Sequence, residues 1–323
     1  MALVVLGVFS ACSCDGNLSG DGCRLLRIVP YVPVPVITKH AGAVLGPEFP
    51  SDREIRMSVC RHSSGGTSDN YIMDMQVCHK SDGWSDGGLW PADGSLDVLC
   101  MSADDFNRVG RPEWAVRLTD SVTVHVCDCH LTQDDLMFGC RADVSYHDSG
   151  GSIKVAFSHS LSLVSFKVLA DGYDSGGSGD DIVTLDGISM DNVFCDADVT
   201  AANESGTISF RWHNLSQTHD LQMLEKPLRT GSGETLPAGT AMLVIPQAVP
   251  DITVRFATDP GDGTTDCHEF TVHPVRGGER WTPGVHYIYT LHLRPASAIV
   301  ETAVEPWMPN DLETHFTKLI PII

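Results

Sequence analysis

Apolar and polar residues alternate with a period of two along much of the chain. Tyr71, Met73, Met75 and Val77 alternate with other residues, as do Leu96, Val98 and Cys100, and then Val122, Val124 and Val126. In the second half Ile153, Val155 and Phe157 form such a run, and Val164, Phe166 and Val168 follow on the opposite parity. In an extended chain, alternate side chains share one face, so these segments predict strands. A change of parity flips the buried face, which requires a bulge or turn near Leu161 to Leu163. Tyr287, Tyr289, Leu291 and Leu293 make the cleanest late strand.

Turn residues separate these runs. Asp171 to Asp180 is a Gly- and Ser-rich loop, and Asp259-Pro-Gly-Asp-Gly263 lies between Val254/Phe256 and Phe270/Val272, which predicts a hairpin. No window offers a long amphipathic helix; the best short candidates are Ala103 to Arg108 and Leu215 to Leu224. Many short strands with little helix predict an all-β sandwich or barrel and argue against a parallel α/β enzyme fold. A length of 323 residues suits two domains. The polar stretch Cys140 to Gly151 sets the expected division: residues 1–25 as leader and linker, 26–146 as one β-sandwich, and 147–323 as a second with a C-terminal strand or tail.

Charge narrows the partners. With 42 acidic against 21 basic side chains, the net charge is −21. Such a chain repels phosphate, which excludes nucleic acid. Ala2 to Ala11 is an apolar run of signal-peptide length, far short of the ~20 residues needed to span a bilayer. Phe9-Ser-Ala-Cys12 follows the pattern of a lipoprotein processing box, so Cys12 is the expected acylated residue. Eleven cysteines in an exported chain permit disulfides, but sequence does not give their connectivity. Ile28-Val-Pro-Tyr-Val-Pro-Val-Pro-Val-Ile37 lacks N–H donors on both edges, so it is expected as an edge strand or a polyproline-like linker, not a central strand.

Candidate chemistry is sparse. Cys127-Asp-Cys-His130 has one residue between its cysteines, where zinc sites usually want two to four. Asp171, Asp174, Asp180 and Asp181 do not follow the EF-hand ligand spacing, and Asp259, Asp262 and Asp266 are weaker still. No metal and no cofactor is expected. There is no Gly-x-Ser-x-Gly elbow, His-Glu-x-x-His, phosphate loop or dinucleotide fingerprint, so no catalytic residue is assigned and an enzyme is not expected. Six tryptophans serve either a sugar-binding surface or, more commonly, a core.

Six spaced segments carry a resemblance. Trp90-Pro91 with Leu96-Asp-Val-Leu-Cys100, Asp135-Leu-Met137, Phe157-Ser-His-Ser-Leu161, Leu243-Val-Ile-Pro-Gln247, Trp281-x-x-Gly284-x-x-Tyr287-x-Tyr289, and Val304-Glu-Pro-Trp307 stand in the order found in the fimbrillin family of bacterial surface proteins. The resemblance implies two transthyretin-like Greek-key β-sandwich domains in tandem. It implies a structural and adhesive subunit of a surface fimbria, or pilus, held at the outer membrane by its lipid. Its partners would be other fimbrial subunits and ligands on host or bacterial surfaces. It also implies removal of an N-terminal strand by an arginine-directed protease, after which a strand from the next subunit fills the groove. Carried onto this chain, the removed strand holds Ile28, Tyr31, Val34 and Ile37, and the cut falls at Arg53 or Arg56. The donated strand holds Phe316, Leu319 and Ile323. The alternative expectation is a glycan-binding surface lipoprotein that does not polymerise.

Overall fold

The computed structural model describes residues 24–33, 49, 53–80, 83–85, 88–171, 182–230, 233, 235–259, 264–274, 280–294 and 297–307. Within them nearly all regular structure is strand. The first five strands are β1 (Arg27–Tyr31), β2 (Glu54–His62), β3 (Ser68–Lys80), β4 (Gly83–Ser85) and β5 (Ser95–Ala103). Next come β6 (Glu113–Trp114), β7 (Ser121–Val126), helix α1 (Cys129–Thr132), β8 (Met137–Val144), helix α2 (Tyr146–Ser149) and β9 (Ser152–His159). The second half holds β10 (Ser162–Ala170), β11 (Ile182–Glu204), β12 (Thr207–Gln222), β13 (Leu228–Thr230) and β14 (Thr235–Val244). It finishes with β15 (Ile252–Asp259), β16 (Asp266–Val272), β17 (Val285–Arg294) and β18 (Ser297–Pro306).

Seven strands close into a barrel in the order β1-β4-β3-β2-β5-β8-β9. Closure leaves no free sheet edge, and the alternating residues point inward. Ile55, Met57, Leu96, Val98, Val155 and Phe157 fill its core. The rest of the chain forms two facing sheets. One has the order β14-β10-β17-β18 and the other β16-β15-β11-β7-β6. Val164, Phe166, Leu185, Val254, Tyr289 and Leu291 pack between them.

The 23-residue strand β11 joins these parts. Along one edge it pairs first with β15 and then, from Ala197 to Ala202, with β7 of the first half. Along the other edge it pairs with β13 and then β12. A third core forms at that junction, where Val122, Val124 and Val126 meet Ala197, Val199 and Ala201 together with Phe138, Leu163 and Trp307. The β11–β12 connection is the two-residue turn Ser205-Gly206, with φ of 55° and 90°. Positive φ at both positions is the type I′ geometry, which matches the strand twist and suits glycine.

The parity change between the fourth and fifth predicted runs is met by a change of sheet. Strand β9 ends in the barrel at His159 and β10 begins in the facing sheet at Ser162. The predicted hairpin forms as β15 and β16, with Val254 opposite Phe270. The expected division between 146 and 147 falls inside the β8–β9 pair, so β9 lies in the barrel rather than with the later strands. Both helix expectations are corrected. Ala103 ends β5, and the residues up to Arg108 continue as turns. Of Leu215 to Leu224, the residues up to Gln222 lie in β12, because pairing with β11 supplies those backbone groups with partners and buries Leu221. On β3, Asp74 has φ 45° and the register with β2 shifts beside it; Met73 and Met75 are exposed while Val77 is buried.

Candidate functional site

Strand β1 closes the barrel, and its attachment is unequal on its two sides. It runs parallel to β9 over five residue pairs, from Arg27 opposite Ser152 to Tyr31 opposite Ala156. Against β4 it makes one antiparallel pair, Ile28 opposite Trp84. Every other neighbouring pair in the barrel is antiparallel. The proline expectation is corrected for its first residues: Ile28 to Tyr31 lie in a strand that has β9 on one side and β4 on the other. Among the described residues the β4 pair lies at Ile28, two residues before Pro30, so Pro30 does not face β4 in that pair.

The apolar face of β1 is well seated. Leu26, Ile28 and Val32 are buried in the barrel core, each a side chain whose burial stabilises by about 1.5–3 kcal/mol. Phe49 caps the same space, with its ring 4.9 Å from Phe157 and 5.8 Å from Trp84. Ahead of the strand, Leu26 N–H donates to Gly88 O at 2.8 Å and Trp90 N–H to Arg24 O at 2.7 Å. Removing β1 would open a groove between β4 and β9 lined by Trp84, Ile153, Val155 and Phe157.

Arg53 stands at the entry to β2 and is anchored inward. Its Nη1 lies 3.1 Å from the Asp135 carboxylate and 3.3 Å from that of Asp104, and its Nε donates to Ser102 Oγ at 3.2 Å. It also donates to the Asp135 carbonyl. Asp135 in turn accepts from His159 Nδ1 at 3.0 Å, and the His159 ring stacks on Trp307 at 3.8 Å. Burial alone would raise the Asp135 carboxyl. The adjacent His159 and Arg53 outweigh it and hold the group below the usual carboxylate value. Trp307 N–H donates to Gly284 O, which fixes the point where the chain leaves β18.

Of the expected site residues, Ile28 and Tyr31 lie in β1, with Ile28 buried and Tyr31 exposed. Arg56 sits in β2 between β3 and β5, paired with Asp74 at 3.0 Å. Cys12, Val34, Ile37, Phe316, Leu319 and Ile323 lie outside the described residues, as do Asp174, Asp180, Asp181 and Asp262. All six tryptophans are buried or half-buried, four of them at 6% exposure or less, so none offers a bare ring to a sugar. A polar hollow of about 410 Å³ flanks the C-terminal end of β1, lined by Tyr31, Arg141, Asp143, Asp148 and Lys154 among others. Sequence reasoning missed the anchor itself. Asp135, His159 and Trp307 were visible as three separate segments, and only the fold brings them onto Arg53.

An all-β chain with a barrel closed by one parallel strand, beside a two-sheet body, defines the class: a two-part β-protein. The sequence profile of the fimbrillin-like family matches residues 47–307, and the chain belongs to that family. Among solved structures it is similar to a fimbrial protein from Bacteroides vulgatus. That pair has a TM-score of 0.61 at 13% identity and covers 88% of this chain and 99% of that one. It is also similar to a protein named for cell adhesion from Parabacteroides distasonis. There the TM-score is 0.51 at 8% identity, covering 88% and 98%. At these identities the likeness speaks to the fold alone. The sequence has no match among curated proteins.

Proposed function

We propose that this chain is a structural and adhesive subunit of a bacterial surface fimbria, assembled by exchange of strands between subunits. The observation that carries the reading is β1: a short strand that completes a hydrophobic core, pairs with β4 at one position among the described residues, and precedes the one arginine between β1 and β2, Arg53. Cutting after Arg53 detaches Leu26, Ile28, Val32 and Phe49 together and leaves an apolar groove. A cut at Arg56 would instead have to enter a strand paired on both sides. A donor strand supplying about ten main-chain hydrogen bonds and several buried side chains gains more than the roughly 4–15 kcal/mol cost of association. The tail beyond Trp307 is the donor, carrying Phe316, Leu319 and Ile323. Cys12 carries the lipid that holds the protein at the outer membrane before assembly, and partners are neighbouring subunits and surface ligands. In this reading the barrel and the two-sheet body correspond to the family's two transthyretin-like sandwiches, and the protein is not an enzyme.

The test is limited digestion of the full chain with an arginine-specific protease, followed by size-exclusion chromatography and N-terminal sequencing. The expected product starts at Glu54 and forms oligomers. Arg53→Gln blocks both, and deletion of residues 312–323 leaves a cut monomer. A cut chain that keeps its tail and stays monomeric overturns the reading. If that monomer bound polysaccharide on a glycan array, the protein would be a glycan-binding surface lipoprotein instead.

A further inference from the structure

One polar cluster lies away from the β1 closure. The Cys127-Asp-Cys-His130 segment runs from the end of β7 into α1, and strand β12 brings His219 against it. The His130 and His219 rings stack with centroids 4.0 Å apart and planes 21° from parallel. Asp128 completes the group. One ligand atom from each of Asp128, His130 and His219 lies within 4.8 Å of the other two. We propose that these three residues bind one divalent transition-metal ion of the zinc class, joining α1 to the β11–β12 hairpin, with the exposed His219 ring turning out of the stack so that its nitrogen and that of His130 converge on the ion.

Several features support this site. The Asp128 carboxylate makes no capping hydrogen bond to α1, although Asp128 occupies the N-cap position. Its backbone is in the left-handed region, φ 48° and ψ 39°, which Asp tolerates better than most residues. Its N–H donates to Asp196 Oδ1 at 2.8 Å, which fixes the turn from below and places a second carboxylate next to the cluster. The Nδ1 of His130 is buried with no hydrogen-bond partner, a cost that a bound ion or its water would remove.

The donor set selects the metal. Two imidazoles and one carboxylate suit Zn²⁺, with Zn–N near 2.0–2.1 Å, whereas Ca²⁺ and Mg²⁺ ask for oxygen ligands. Three protein ligands leave a fourth position for water or a partner group. Asp128 and His219 are exposed, so the ion enters directly from solvent. The sequence argument against a metal rested on the Cys-x-Cys spacing. The ligands are instead the other two residues of that segment, and the third comes from 89 positions later in the chain, His219 against His130.

The experiment is calorimetric titration of the full-length protein with ZnCl₂, together with melting curves with and without zinc. The expected result is one Zn²⁺ per chain and a raised melting temperature. His219→Ala and Asp128→Asn should each weaken binding at least about tenfold and abolish the zinc-dependent shift. His273→Ala, at an exposed His–Asp pair elsewhere, should leave both unchanged. Both informative variants change exposed side chains, so the test does not depend on His130→Ala folding. Absence of zinc binding by the wild type overturns the proposal. So does binding by His219→Ala and Asp128→Asn as tight as the wild type's, or displacement of the zinc by equimolar calcium.

Discussion

At the scale of single residues, two adjacent carboxylates on one loop respond to pH in opposite directions. Asp134 is pushed up to about 6, first by burial, and the nearby Asp104 and Asp105 add to it while Arg108 opposes. Its Oδ2 is buried without a partner. A carboxyl whose folded value is raised loses stability as pH climbs from about 4 through 6. Asp134→Asn should therefore stabilise the protein at pH 7 by about 1 kcal/mol, after allowing for screening by water, with little effect at pH 4. Urea midpoints at the two pH values decide it. Asp135 behaves in the reverse sense. Its folded value is depressed, so its contribution is complete at neutral pH and is lost as acidity passes below the ordinary carboxylate value of 3.8. Asp135→Asn leaves Arg53 and His159 without their common partner. It should destabilise by about 3–5 kcal/mol at pH 7 and speed arginine-specific cleavage at Arg53, followed by the appearance of the Glu54 terminus with time.

At the scale of elements, β1 joins the barrel through five residue pairs with β9 and one with β4, and its inward face is a large part of what it contributes. Ile28→Ala should lower the stability of the barrel by about 2–4 kcal/mol, measured as a shift in the urea midpoint, because the side chain is 2% exposed among Trp84 and Ile153. The strands themselves were legible in the sequence wherever alternation was strict. Val122, Val124 and Val126 lie buried in β7, Ile153, Val155 and Phe157 in β9, and Val164, Phe166 and Val168 in β10. Pairing was not legible. Nothing in Ser121 to Val126 indicates a partner some 70 residues later, since that choice is made by packing against Val199 and Ala201 and not by local propensity. The same reason explains the helix expectation over Leu215 to Leu224. Its apolar spacing suits a single turn of helix, but β11 offers it a continuous set of donors and acceptors. The Arg53 anchor stayed hidden for a related reason. Its partners Asp104, Asp135 and, through Asp135, His159 come from three separate strand ends.

At the scale of the whole molecule, the β7–β11 pairing ties the halves together. A fragment of residues 1–146 lacks both β9 and the partner of β7, so the barrel would be open and Val122, Val124 and Val126 uncovered. That fragment should be insoluble or unfolded, and differential scanning calorimetry of the full chain should show one dominant transition and not two of equal size. Two well-separated transitions, or a soluble folded fragment, would show that the halves are independent. The length of β11 has a mechanical consequence as well. At about 3.3 Å per residue its 23 residues would span at most roughly 75 Å, shortened by its bulges, with paired stretches along both edges. A pulling force aligned with that strand loads many hydrogen bonds in shear at the same moment, whereas a force across it would peel them one by one. In a single-molecule stretching experiment the two pulling directions should therefore yield at very different forces, the axial one higher.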